Sequence, residues 1–361
     1  PNVQSMVFIH RSNAGANGDA GSGALRFDVS TDNGNTWTSN VGPVWKASTA
    51  RYPAAVIMNP SGNTNSDNAF MAFGAPTLSG TNGSWGGYGY GTYQLDDLTD
   101  TNSWSGEMQT DAANDIYLLI PTGTHYSTAT GVFHMTDQNI DQLTTLDYHD
   151  EMIYRQGVLQ GDTIAWTTTI LSAPTGLDYS DSSKVIADER IAFSPDGMTG
   201  YITWLGAALD TTSATGSAYG TYNIHFMKTT DGGANWSAPD MIDVTQDITA
   251  NTDLPTDGGG PYTVTTGFEH DLAVDMNGNA HIAVNIGAAS ATAFSIGSAP
   301  GYHGVFDVYT TDGGSTWNSE LIGLPETFRG TFGDPAGNAI SEDNRPQISS
   351  SFNGSQLFFV Y

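Results

Sequence analysis

Short runs of alternating apolar and polar residues, broken by Gly, Asn, Asp and Pro, recur along this chain, and that period of two predicts β-strands joined by tight turns. One arrangement repeats. Two strand-like runs flank a Gly-containing turn in Tyr126-Ser-Thr-Ala-Thr-Gly-Val-Phe-His134 and in Ile191-Ala-Phe-Ser-Pro-Asp-Gly-Met-Thr-Gly-Tyr-Ile202. The same holds in Leu272-Ala-Val-Asp-Met-Asn-Gly-Asn-Ala-His-Ile282 and Gln347-Ile-Ser-Ser-Ser-Phe-Asn-Gly-Ser-Gln-Leu357. Asp196-Gly197, Asn277-Gly278 and Asn353-Gly354 are strong hairpin signals, because these residues tolerate the positive φ of a tight turn. A further copy at 51–73 carries a longer, Asn-rich turn.

A second repeat lies midway between these hairpins. It reads Ser30-Thr-Asp-Asn-Gly-Asn-Thr-Trp37, Thr229-Thr-Asp-Gly-Gly-Ala-Asn-Trp236 and Thr310-Thr-Asp-Gly-Gly-Ser-Thr-Trp317, each after a strand-like run. Asp32, Asp231 and Asp312 are placed to accept backbone N–H groups inside the turn, glycine supplies positive φ, and the indole carries enough apolar surface to lock the turn on a neighbouring strand. Degenerate copies end at Trp104 and Trp166, so the tryptophans are spaced by 67, 62, 70 and 81 residues. Each unit then reads hairpin A-B, loop, strand C, box, strand D, the content of a four-stranded propeller blade.

The box resembles the Asp-box of sialidase-type β-propellers. That resemblance implies an all-β, six-bladed β-propeller in which Asp32, Trp37, Asp231, Trp236, Asp312 and Trp317 are architectural, at the outer turn of a blade. The blades fall at 1–45 (partial), 46–112, 113–175, 176–245, 246–325 and 326–361 (partial), one domain over 1–361. The first lacks an A strand and the last stops after A and B. Both ends therefore offer a B strand, which argues against closure by strand exchange. The chain reads as a processed or internal piece of a longer polypeptide.

Composition narrows the partners. Asp and Glu total 38, of which 31 are Asp, while Lys and Arg total only 10, so the net charge of -28 reflects a shortage of bases. Clustered Lys and Arg are what nucleic acid and anionic membranes require, and these partners are excluded. Apolar runs are too short to span a bilayer, and the absence of Cys removes disulfide and thiolate chemistry.

In propeller geometry the B-to-C loops and D-to-A connections share one face. The loops at 11–23, 75–86, 206–219 and 287–303 are long, and they carry Trp85, Tyr219, Phe294 and Tyr302, either to stack on sugars or to pin the loops. At the start of each inner strand the repeat register places Arg51, His125, Arg190, His270 and Arg345. Arginines on alternate blades form an anion-accepting mouth, or else a charge ring satisfied by Asp188, Glu189, Glu269, Asp271, Glu342 and Asp343. The oxygen-rich stretches 63–68 and 253–257 read as solvated loops, with Ca²⁺ as the alternative, and neither fits an EF-hand; no other cofactor or metal motif is present.

The family resemblance sharpens this. Arg51-Tyr-Pro53 is similar to the Arg-Ile-Pro motif of sialidases, whose arginine helps to grip a carboxylate, with Arg190 and Arg345 as the other two. It follows the first box here rather than preceding it. Only spacing points to Tyr262 and Glu269 for the nucleophile pair, and no acid/base Asp is evident. The blade starts Tyr-Pro and Asn-Arg-Pro-Gln also resemble large secreted surface proteins of Bacteroidetes type. The expectation is a secreted or cell-surface recognition or adhesion module for a glycan or other anionic ligand. The alternatives are a sialidase-like glycosidase or an enzyme on other polysaccharides, as in Asp-box xyloglucanases with paired aspartates.

Overall fold

The alternating runs become antiparallel strands in the computed structural model, which describes residues 3–80, 84–95, 98, 103–142, 146–178, 183–208, 220–245, 247–248, 263–289, 294–297, 302–325, 329–333, 339–343 and 345–361. The protein is all-β and separates into two compact units, Pro1–Leu171 and Ser172–Tyr361. Among the described residues no helix is long and apolar enough to cross a membrane.

In the first unit β1 (Met6–Arg11), β2 (Leu25–Ser30) and β3 (Thr38–Trp45) form a three-stranded sheet, with the short helix α1 (Ala14–Asn17) between β1 and β2. Four-stranded sheets follow, from β4 (Ala54–Met58), β5 (Phe70–Thr77), β6 (Gly87–Gln94) and β7 (Ser103–Gln109), and from β8 (Gly123–Ser127), β9 (Val132–Asp141), β10 (Asp147–Gln160) and β11 (Thr163–Ser172). Apolar faces close against one another: Phe27 and Trp45 on Met71 and Phe73, then Met58 and Ala72 on Phe133 and Ile164. Asp137 ties down the approach to β8, accepting the N–H groups of Leu119 (2.7 Å) and Ile120 (3.2 Å). The buried Arg155 lies over the Tyr88 ring at 5.2 Å. Burial pushes the Asp137 carboxyl up, and those N–H groups and the Arg155 charge oppose the shift.

In the second unit β12 (Ile186–Phe193), β13 (Gly200–Ala207), β14 (Tyr222–Thr229) and β15 (Asp240–Ile242) form one four-stranded sheet. The next contains β16 (Val264–Val274), β17 (Ala280–Ala288), β18 (His303–Tyr309) and β19 (Asn318–Gly323). A two-stranded pair β20 (Arg329–Gly333) and β21 (Ala339–Asp343), which the sequence pattern did not reveal, precedes the final hairpin β22 (Gln347–Ser350) and β23 (Leu357–Val360). Tyr201, Ile224 and Phe226 pack against Leu272, Ile282 and Phe306, and Ile348 and Phe359 cover Ala273 and Ala283.

The A-B-C-D order expected for each repeat is the order of hydrogen-bonded neighbours in all four four-stranded sheets. The box turns stand between third and fourth strands, and in the first sheet between β2 and β3. Their chemistry is local. Asp312 accepts from the N–H groups of Ser315 (3.0 Å) and Thr316 (2.9 Å) and the Thr316 hydroxyl (2.7 Å), while Thr310 Oγ1 accepts from Gly314 N–H at 2.8 Å. Asp231 and Asp32 repeat the arrangement on Asn235 and Thr36.

The tryptophans differ in what they reach. Trp317 meets Phe226 edge-on, with ring centroids 5.0 Å apart, and Lys228 Nζ donates to the Gly313 carbonyl at 2.8 Å, so the third box staples one sheet to the next. Trp236 meets Phe193 of its own sheet at 6.1 Å. Trp37 is 47% exposed and turns its N–H onto the Gly34 carbonyl of its own turn at 3.1 Å. Of the degenerate boxes, the one ending at Trp104 lies partly outside the described residues, and the one before Trp166 is a tight turn at Gly161.

These hydrogen bonds hold the box carboxyls low: Asp231 through Asn235 and Asp312 through Thr316 both fall from 3.8 to about 2. A depressed folded-state pKa gives stability that is present above the unfolded value and lost as pH falls through the folded one. Thermal unfolding should therefore shift to lower temperature between pH 3.8 and about 2, and Asp231→Asn and Asp312→Asn should each flatten that dependence. Equal slopes in the variants and the parent would show that the boxes do not carry it.

Candidate functional site

The inner strands of the second unit gather most of the charged residues singled out in the sequence. The β12–β13 ladder shifts register between Ala187 and Glu189, leaving Asp188 as a bulged residue at φ 43°. A bulge re-aims the side chain it carries. The Asp188 carboxylate, 7% exposed, is ion-paired with Arg190 and accepts the His270 N–H through Oδ2 at 3.0 Å. The same oxygen lies 3.2 Å from His270 Nδ1, and His270 Nε2 bonds Thr203 Oγ1 at 2.7 Å. Arg190 Nε sits 3.7 Å from Asp271 Oδ1, and Asp271 Oδ2 accepts the Ile348 N–H at 3.0 Å.

Two carboxylates thus share one guanidinium and hold three inner strands together. Their titrations diverge. Burial would raise Asp188, but the His270 hydrogen bond and the Arg190 charge outweigh it and hold that carboxyl below its ordinary value. Burial wins at Asp271 and pushes it up, against the Ile348 N–H and the Arg190 charge. Arg345 stands on the next carboxylate along, with Nε 3.1 Å from Glu269 Oε2.

The observed register corrects the expected one. Ser194, Asp275 and Ser351 open the three hairpin turns, bonding to Thr199, Asn279 and Gln356. Four residues before each stand Arg190, Asp271 and Gln347, so Arg190, His270 and Arg345 are not equivalent positions. The neighbouring carboxylates engage both arginines, as in the charge-ring alternative. Of the other expected partners, the side chains of Glu342 and Asp343 lie outside the described residues, as does the whole of Tyr262, the candidate paired with Glu269 for the nucleophile.

The first unit holds Arg51 and His125. Burial pushes the His125 imidazole down to about 4, so it is neutral near pH 7 and adds no positive charge. Arg51 is half-buried and donates from Nη1 to the Ala50 carbonyl at 3.0 Å. Beside it Tyr52 is 63% exposed at φ 40°, a conformation that costs a non-Gly residue energy. Its ring lies 5.8 Å from that of Trp85, tilted by 48°. Tyr52 and Trp85 thus present two neighbouring aromatic faces, and Arg51 directly precedes the first of them in the chain. The sequence pointed to Arg51 and Trp85 separately. Tyr52 went unremarked, although an aromatic residue between Arg and Pro was a visible signal.

The other loop aromatics behave differently. Phe294, at φ 55°, donates its N–H to Gly220 at 2.8 Å and meets Tyr222 at 5.3 Å, so it pins a loop. Tyr302 accepts the Ala288 N–H through its carbonyl at 2.8 Å, while Tyr219 lies outside the described residues. In the 63–68 stretch the amide oxygens are drawn into the turn, Asn63 accepting from Asn65 N–H and Asn65 from Asp67 N–H, both at 3.1 Å. The 253–257 stretch lies outside the described residues.

No protein-family model and no curated protein sequence matches this chain. Similar solved structures include the Trypanosoma rangeli sialidase in complex with the inhibitor DANA, 16% identical over 70% of this chain and 35% of that chain, with a TM-score of 0.39. A Penicillium chrysogenum α-L-arabinanase complexed with arabinobiose is 12% identical over 86% of this chain and 83% of the other, at a TM-score of 0.42. The NanB sialidase from Streptococcus pneumoniae is 10% identical over 96% and 61%, at 0.38. This chain therefore spans about a third of the length of the first of these.

The Asp188 network should be structural in its energetics. Asp188→Ala removes the acceptor of the His270 N–H and the counter-charge of Arg190, and urea unfolding should register a loss of about 2–3 kcal/mol. A loss within ~0.5 kcal/mol, the ordinary range for surface substitutions, would show that the network contributes nothing to folding.

Proposed function

We propose that this chain is a six-bladed β-propeller with incomplete first and last blades that serves as a secreted or cell-surface recognition module for a glycan bearing an anionic group. The sheet series among the described residues, with three strands, then four in each of four repeats, then the pair β20–β21 and the final hairpin β22–β23, supports the blade reading. The observation that carries the binding reading is Tyr52, exposed and held at positive φ against Trp85 immediately after Arg51. Two tilted aromatic faces suit the apolar face of a sugar ring, and a guanidinium suits a carboxylate or sulfate on the same sugar. Of the five residues first assigned to ligand binding, Arg51 keeps that role. Arg190 and Arg345 are engaged by carboxylates, His125 is neutral, and His270 serves Asp188.

The alternative is a sialidase-like glycosidase. The opposite displacement of Asp188 and Asp271 within one network favours it, because carboxyls tuned apart are the usual division into base and acid. Both carboxylates also hold backbone N–H groups, which favours recognition.

A glycan array on the intact chain should single out acidic glycans. Arg51→Ala should weaken them about 10-fold, the loss of one charge-assisted hydrogen bond, and leave neutral glycans unchanged. A fluorogenic sialoside should not turn over. Turnover abolished by Asp271→Asn would establish the glycosidase instead.

A further inference from the structure

Between the first two sheets of the second unit, at the box end, lies a cavity of about 350 Å³ that the glycan reading leaves unused. This is the lower end of the size range of small-molecule sites. Its apolar wall is formed by Phe226, Trp317 and Met241, and its acidic rim by Asp240 and Asp247, both exposed. β15 is only three residues long and pairs with β14 from Asp240, opposite Phe226, to Ile242, opposite Ile224, so the fourth strand begins only at the level of the Phe226–Trp317 aromatic pair.

The carboxylates are held in place. Asp240 Oδ1 accepts the Met241 N–H at 2.8 Å. Asp247 Oδ2 accepts the Asp243 N–H at 2.8 Å, and its own N–H returns to the Asp243 carbonyl at 2.8 Å, closing a turn. Each therefore keeps a second oxygen without a hydrogen bond among the described residues. Among the described residues lining the cavity none is basic, and Lys228, which reaches the adjoining Gly313, is engaged by that carbonyl and lies over the Tyr201 ring.

We infer that this cavity binds an alkyl cation, the guanidinium or ammonium of an Arg or Lys side chain presented by a partner polypeptide. Aromatic faces attract such a cation and shelter its apolar stem, and two carboxylates form charge-assisted hydrogen bonds with it that a neutral donor cannot match. The net charge of -28 draws basic segments towards the protein, while the rigid carboxylates choose where they dock.

The test uses the intact chain, isotope-labelled on its indoles and titrated with Ac-Gly-Arg-Gly-NH2 and with the same peptide carrying uncharged citrulline. The Trp317 indole signal should move with the Arg peptide, and the citrulline peptide should bind at least ~10-fold more weakly. Asp240→Asn with Asp247→Asn keeps the backbone acceptors and should weaken the Arg peptide by a similar ~10-fold. Asp67→Asn with Asp162→Asn removes the same charge from exposed positions in the first unit and should change affinity by less than ~2-fold. Equal binding of the citrulline peptide, equal weakening by the two double variants, or signal changes that bypass Trp317 would each overturn the inference. A double variant that fails to fold, seen in its own spectrum, is replaced by either single substitution under the same criteria.

Discussion

Every residue of β13, from Gly200 to Ala207, is buried, and β17 is buried along all but one position. A strand covered on both sides has no face to offer water, so a sheet built around it is stable only when other layers lie against both faces. This requirement shapes the rest of the protein. Residues of one sheet in the second unit, such as Phe226 and Ile224, find their apolar surroundings in Leu272 and Ile282 of the next. At the fourth strand of a sheet in the first unit the requirement relaxes: β7 alternates exposed and half-buried positions along its length, as a strand with one wet face should.

Sheets stacked in this way share no ladder of paired strands, and their first strands need another means of alignment. Aspartate supplies it. Asp188 reaches the His270 N–H and Asp271 reaches the Ile348 N–H, each carboxylate crossing from one inner strand to the backbone of the next. Within its own sheet, Asp137 on β9 accepts two backbone N–H groups of the segment entering β8. An acceptor with two oxygens and no donor can cap backbone N–H groups that lie out of register with any carbonyl. A few of the aspartates that look like a surface property in the composition thus serve inside the fold, and Arg190 neutralises the charge of Asp188 that the backbone does not.

What the sequence disclosed followed from how local each signal was. The box turns and the Asp-Gly and Asn-Gly hairpins were legible because residues a few positions apart satisfy one another, and the strand order within each repeat followed from their alternation. The equivalence of Arg190, His270 and Arg345 was misread because the ladder position of each is fixed by the bond that opens its hairpin, Ser194 to Thr199, Asp275 to Asn279 and Ser351 to Gln356, and these leave no mark in the alternation of side chains. Tyr52 was passed over because its backbone conformation, which presents the ring beside Trp85, depends on the whole turn. The exposure of Trp37 was equally hidden, since what an indole packs against is decided by another sheet.

The box turns also bear on how the chain reaches this structure. The bonds of the third box run between Thr310 and Thr316 and need nothing from elsewhere in the chain. Closing so short a loop costs little chain entropy and is fast compared with bringing distant strands together. The box turns and hairpins can thus be in place while the sheets are still apart, and the slow part of the search reduces to stacking preformed antiparallel pairs. Contacts such as Lys228 to Gly313 and Trp317 to Phe226 then form late, as one finished sheet settles on the next.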